Sequence, residues 1–77
     1  MTAKSKRSAC IVGAGGGIGR ATTALLAAQG YGPLICLDLA GSDVDAVAAE
    51  HGATALHIDL RDPASVPAVF AKAREVT

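Results

Sequence analysis

The chain has 77 residues, 51% of them apolar, a formal net charge of zero and only two aromatic residues, Tyr31 and Phe70. That length allows one small domain, burying about 60% of the surface its unfolded form exposes. Charge neutrality argues against a nucleic-acid or anionic-membrane partner, and no apolar run reaches the ~18 residues a membrane helix needs.

Residues 1–7, with Lys4, Lys6 and Arg7, read as a flexible basic tail. No apolar segment with a small-residue cleavage site follows it, so a cytoplasmic placement is expected. Ser8 to Val12 then reads as a strand apolar on both faces, as in a parallel sheet covered on both sides. A glycine turn leads into a predicted helix from Arg20 to Gln29, with Ala21, Leu25, Leu26 and Ala28 on its buried side and Gly30 ending it. Gly30-Tyr31-Gly32-Pro33 is turn chemistry, and Leu34 to Leu39 is a second apolar run containing Asp38. Ser42 is placed to cap a helix over Asp43 to His51, which Gly52 closes. A third strand is expected from Thr54 to Ile58, ending at Asp59.

The last helix begins near Asp62-Pro63, with Val66, Val69, Phe70 and Ala73 at helical spacing. Pro67 would forfeit a backbone hydrogen bond inside it, so either Ser65 is the true cap or the first turn is distorted. Strand, helix, strand, helix, strand, helix implies a parallel sheet with right-handed crossovers. Cys10 and Cys36 lie in the two most apolar runs and read as buried core thiols; a disulfide is the alternative, since neighbouring parallel strands bring such residues close. They form no CxxC pair and no metal site is expected.

Gly13-Ala14-Gly15-Gly16-Gly17-Ile18-Gly19 carries the chemistry. A strand, a glycine turn and a helix in that order aim backbone N–H groups and the positive end of a helix dipole at one spot, which favours a phosphate. The frame G-x-G-x-x-G fails, whereas G-x-x-x-G-x-G (Gly13, Gly17, Gly19) and G-x-x-G-x-x-G (Gly13, Gly16, Gly19) both fit. No lysine follows as a P-loop requires, which leaves triphosphate hydrolysis without support. Asp38 closes the second strand, where a carboxylate accepts hydrogen bonds from an adenosine ribose. Leu39 follows it in place of a cation that a 2′-phosphate would need, so NAD is expected over NADP. Asp59 ends the third strand on the same rim, placed either to meet the adenine amino group or to cap its own loop. His57 and His51 lack an acidic or nucleophilic partner in the sequence and read as surface or edge histidines.

At these residues the chain resembles the short-chain dehydrogenase/reductase family, over its whole length after the tail. Ile11-Val12-Gly13-Ala14-Gly15-Gly16-Gly17-Ile18-Gly19-Arg20-Ala21 is similar to the family's T-G-x-x-x-G-I-G-R-A opening, Asp38 to its acidic strand end, Asp59-Leu60 to its D-V or D-L pair, and Asp62-Pro63-Ala64-Ser65-Val66 to the start of its next helix. The resemblance implies a Rossmann-like three-layer α/β fold, here an incomplete βαβαβα half over residues 8–77, binding a dinucleotide through Gly13, Gly16, Gly17, Ile18, Gly19, Asp38, Leu39, Asp59 and Leu60. Val12 stands where the family has threonine. Gly16 keeps the family's extended branch in play, whereas Gly17-Ile18-Gly19-Arg20 and the Asp59 segment favour the other. The family's catalytic Ser and Y-x-x-x-K pair are not carried by this chain: its one tyrosine, Tyr31, is followed four residues on by Ile35. The expectation is therefore the cofactor-binding N-terminal part of an NAD-dependent oxidoreductase acting on an alcohol or ketone. A non-catalytic nucleotide-binding module and a ligand-free structural β-α-β domain are the alternatives. An unpaired sheet edge carries the further expectation of self-association.

Overall fold

The computed structural model describes residues 7–76. Met1 to Lys6 of the basic tail lie outside the described residues, while Arg7 is exposed, with its guanidinium 5.9 Å from the Tyr31 ring centre and its carbonyl accepting the Gly32 N–H at 3.0 Å. Three strands, β1 (Ala9–Val12), β2 (Leu34–Asp38) and β3 (Thr54–His57), form one parallel sheet in the order β1-β2-β3. Helices α1 (Gly17–Ala28), α2 (Val44–His51) and α3 (Val66–Val76) follow the strands in turn, with a 3-10 turn over Pro63–Ser65 before α3. This is the alternating α/β pattern read from the sequence, and it places the carboxyl ends of all three strands on one rim.

Helices α1 and α2 cover one face of the sheet, where Ile11, Leu34 and Cys36 pack with Val44, Val47 and Ala48 of α2 and with Leu26 and Ala27 of α1. On the other face Ile35 and Leu37 pack with Ile58, Val66, Val69 and Ala73 beneath α3. Strand β2 is the hub, with Leu34 to Leu37 all buried because both faces and both edges are occupied.

Strand β1 departs from expectation. Cys10 and Val12 lie on the α3 face beside Ile35 and Leu37, but α3 packs over β2 and β3, so Cys10 is exposed and Val12 is 47% exposed. Only Cys36 is the buried thiol the sequence implied, and burial pushes its pKa up. Cys36 pairs in register with Ile11, and Cys10 with Ile35, so the two sulfurs sit on opposite faces and a disulfide is ruled out.

The face of α1 is also shifted. Gly19 and Thr23 are buried and Leu26 and Ala27 partly so, whereas Ala21, Leu25 and Ala28 are exposed. The Thr23 hydroxyl donates to the Gly19 carbonyl at 2.8 Å and touches the Cys36 sulfur at 3.8 Å, which makes a polar residue fit the core. Gly30 ends α1 as expected: its φ is +84°, its N–H donates to Ala27 O, and the Tyr31 N–H reaches back to Leu26 O. Gly52 ends α2 in the same way, with φ +64° and the Ala53 N–H on Ala48 O. Pro67 is accommodated because the 3-10 turn comes first and leaves it the second residue of α3, where no N–H is needed. Phe70 falls at the edge of that helix, 36% exposed, while Ala73 is the residue fully under it.

Candidate functional site

Sharp local packing builds the glycine loop. Gly13 leaves β1 with φ +82°, a left-handed conformation that a side chain strains against, and its N–H and that of Ala14 both donate to Leu37 O, at 2.8 and 3.1 Å. The chain turns back on itself, the Gly16 N–H meeting Gly13 O at 3.1 Å. Helix α1 then starts at Gly17, three residues before the sequence-predicted Arg20, because Gly19 has no Cβ to collide with the Gly13 carbonyl or with Ala14 Cα, which would lie 2.7 Å away. Gly16 caps α1 with no side-chain hydrogen bond, so no side chain fills the acceptor position over the helix N-terminus.

Gly17 differs from Gly19. It is exposed, its φ is not positive, and a Cβ there would meet nothing within 4 Å. Neither backbone conformation nor packing inside the chain demands a glycine at that position. Ile18 beside it is 87% exposed. The first turn of α1 thus offers open backbone at the positive end of a helix dipole, a surface suited to a phosphate in close approach.

Asp38 ends β2 with both carboxylate oxygens engaged: Oδ2 accepts the Gly15 N–H at 2.9 Å and Oδ1 the Leu39 N–H at 2.8 Å. These bonds fix the carboxylate at the mouth of the loop. The Gly15 contact was not foreseen; a Cβ on Gly15 would lie 2.8 Å from Ser42 Oγ and 3.0 Å from Asp38 Oδ2, so that glycine serves the approach of α2's leading turn. Helix α2 starts at Val44, one residue later than expected, so Asp43 and not Ser42 holds the N-cap position, without a side-chain cap hydrogen bond. Ser42 precedes it, its hydroxyl donating to Leu39 O at 2.7 Å and accepting the Val44 N–H at 3.3 Å to brace the turn into the helix.

A cleft of about 260 Å³ opens between the ends of the strands, walled by Val12 and Gly13 of the first, Asp38 and Leu39 of the second, and Ile58 to Arg61 after the third. Of the sequence-predicted residues it brings together Gly13, Asp38, Leu39, Asp59 and Leu60; Gly16 to Gly19 form the adjoining start of α1. The Ile58 N–H donates to Asp38 O at 2.9 Å and ties the two strand ends. Asp59 folds its own loop, its carboxylate accepting the Arg61 N–H at 2.9 Å and both Nε and Nη2 of the Arg61 guanidinium at 3.0 and 2.9 Å. Those hydrogen bonds hold its carboxyl below the usual carboxylate range and push Arg61 up. Arg61, absent from the sequence-predicted site, carries one readable signal: a cation two residues after an aspartate at a strand end.

His57 is exposed and pairs with the Asp45 carboxylate at 3.1 Å, bridging β3 to α2 on the surface. Tyr31 stands at the opposite end of the strands, beside Arg7. Among the described residues no group of three His, Cys, Asp or Glu is placed to hold a metal, and no helix is long and apolar enough to cross a membrane.

No match was found among curated proteins. The family model described as short chain dehydrogenase matches residues 7–77, a span that takes in the glycine loop, Asp38, Asp59 and all three strand–helix units. The chain belongs to the short-chain dehydrogenase family.

Proposed function

We propose that this chain is the adenosine and pyrophosphate grip of an NAD(H)-dependent short-chain oxidoreductase. The observation that carries the reading is Gly17: a glycine with no structural reason of its own, set at an uncapped helix start beside a carboxylate-rimmed cleft. A ligand phosphate is the partner that accounts for it. Gly13, Gly16, Gly17, Ile18 and Gly19 form the cradle: the Gly13 and Gly16 N–H groups hold the turn itself, and the first-turn N–H groups of Gly17, Ile18 and Gly19 with the α1 dipole face the pyrophosphate. Asp38 accepts the adenosine ribose hydroxyls. Leu39 and Leu60 flank the adenine, and Asp59 stands at its polar edge. When bound, the nicotinamide supplies a hydride donor or acceptor for an alcohol or ketone carbon; the residues named here bind and orient the adenosine half only.

Preference for NAD over NADP follows from charge. A 2′-phosphate would meet the Asp38 carboxylate, and two unit charges about 4 Å apart repel by roughly 4 kcal/mol at a protein surface before salt screening. Leu39 offers no compensating charge, and Arg61, the one cation lining the cleft among the described residues, is occupied by Asp59. Self-association of a second copy through β1 belongs to the same reading, since among the described residues β1 pairs on one edge only and leaves Cys10 and Val12 uncovered.

Amide shift mapping with NADH tests the proposal. The Gly15, Gly17 and Leu39 amides should move together as the loop and Asp38 engage. Shifts confined to α3 or to the Arg7–Tyr31 end would refute it.

A further inference from the structure

The Asp59–Arg61 pair does more than close a loop. Arg61 is tethered at its backbone N–H and at two guanidinium nitrogens to one carboxylate, a side-on, two-pronged contact that fixes the guanidinium plane. Yet the Arg61 side chain stays 82% exposed, where an untethered arginine would sweep through solvent. As a stabilising ion pair it is worth little, since solvent screens exposed pairs and holding two side chains in one geometry costs entropy. Arg61 also lines two clefts at once: the 260 Å³ cleft with Gly13 and Asp38, and an adjoining one of about 690 Å³ with Ser42 and His57. The sequence thus places a held, flat cation on the ridge between them.

We propose that Arg61 is an additional nucleotide-binding residue, its guanidinium forming a flat wall for the purine ring, with Asp59 as the positioning residue that holds it there. Planar guanidinium groups stack on aromatic bases, and an ammonium, a point charge without a plane, does not replace them. The inference rests on the nucleotide reading above and deepens it by adding a planar cation to the base contacts proposed there for Leu39, Leu60 and Asp59.

Binding of AMP and of inorganic pyrophosphate, measured by calorimetry on the unaltered chain and on R61A and R61K, tests it. Removing a base-stacking partner should weaken AMP about tenfold and leave pyrophosphate, which has no base, unchanged; R61K should stay close to R61A. Far-UV circular dichroism of both variants should match the unaltered chain, because Arg61 is a surface side chain. The proposal is overturned if R61A binds AMP as the unaltered chain does, if it loses AMP and pyrophosphate equally, or if R61K restores AMP fully, which would make charge alone the cause. An unaltered chain that binds neither AMP nor NADH overturns the nucleotide reading itself and this inference with it; unaltered binding with an indifferent R61A overturns this inference alone.

Discussion

Gly17 and Gly19 sit two residues apart in the first turn of α1, and alanine should affect them with opposite sign. At Gly19 the new Cβ collides with the Gly13 carbonyl and lies 2.7 Å from both Ala14 Cα and the Gly13 carbonyl carbon. These are backbone atoms of a turn pinned by two hydrogen bonds to Leu37 O, so relief requires moving the whole loop away from β2. Overpacking of this kind costs about 1–3 kcal/mol, and the backbone nature of the obstacle puts G19A at the upper end. At Gly17 the Cβ enters open space on a helical residue, so alanine gains about 0.4–1 kcal/mol from helix propensity and a stiffer unfolded chain. Urea unfolding followed by far-UV circular dichroism should show a lowered midpoint for G19A, or no folded baseline, and a raised one for G17A. The same G17A protein should bind NADH at least tenfold more weakly, because its methyl group occupies the space assigned to phosphate. Equal stability of G19A and the unaltered chain would refute the packing argument, and a G17A that is both stabilised and fully competent for NADH would remove the reason for calling Gly17 a ligand glycine.

Other outcomes follow from burial and charge. With a thiol-specific alkylating reagent, Cys10 should react in the native protein while Cys36, buried and raised in pKa, reacts only after denaturant is added; two fast thiols without denaturant would contradict the assignment of faces. Asp59 has a lowered pKa when folded, so the stability it carries is present above the ordinary aspartate value and is lost as pH falls through the folded value. Carboxyl NMR should therefore show the Asp59 pKa rising in R61A; an unchanged value would mean that the guanidinium is not its partner in solution. Val12, apolar and half-exposed on β1, should hold copies together, and V12K should lower the sedimentation coefficient of any associated form; association unchanged by V12K would place the contact elsewhere.

Apolar run lengths and turn residues made the order of elements legible, because a buried parallel strand is apolar throughout and because Gly30 and Gly52 carry the left-handed conformations that end helices. The start of α1 was less legible. Helix propensity argues against glycine, yet Gly17 to Gly19 are helical, because a side chain at Gly19 would have blocked the approach to Gly13. Periodicity alone also misjudged α1: Leu25 faces solvent while Thr23 is buried, since the close Gly19 contact sets the rotation of the helix and the Thr23 hydroxyl satisfies itself on the Gly19 carbonyl. The exposure of Cys10 depended on which strands α3 reaches, a tertiary fact with no local signature. At the rim, Asp38 was visible as the end of β2, whereas Asp59, expected to close the third strand, lies in the loop two residues past its end at His57. The Gly15 hydrogen bond to Asp38 and the tether on Arg61 were not visible, because each depends on distances set only once the strands align.

The central claim is a site built for an NAD-type dinucleotide and against a 2′-phosphate, with Asp38 as the discriminating group. Calorimetric titration of the chain with NADH and then with NADPH measures it directly, with D38N as the control. Saturable heat with NADH, binding of NADPH at least tenfold weaker, and a narrowed gap in D38N are the expected results. NADPH binding as tight as NADH, or heat with neither, would contradict the account.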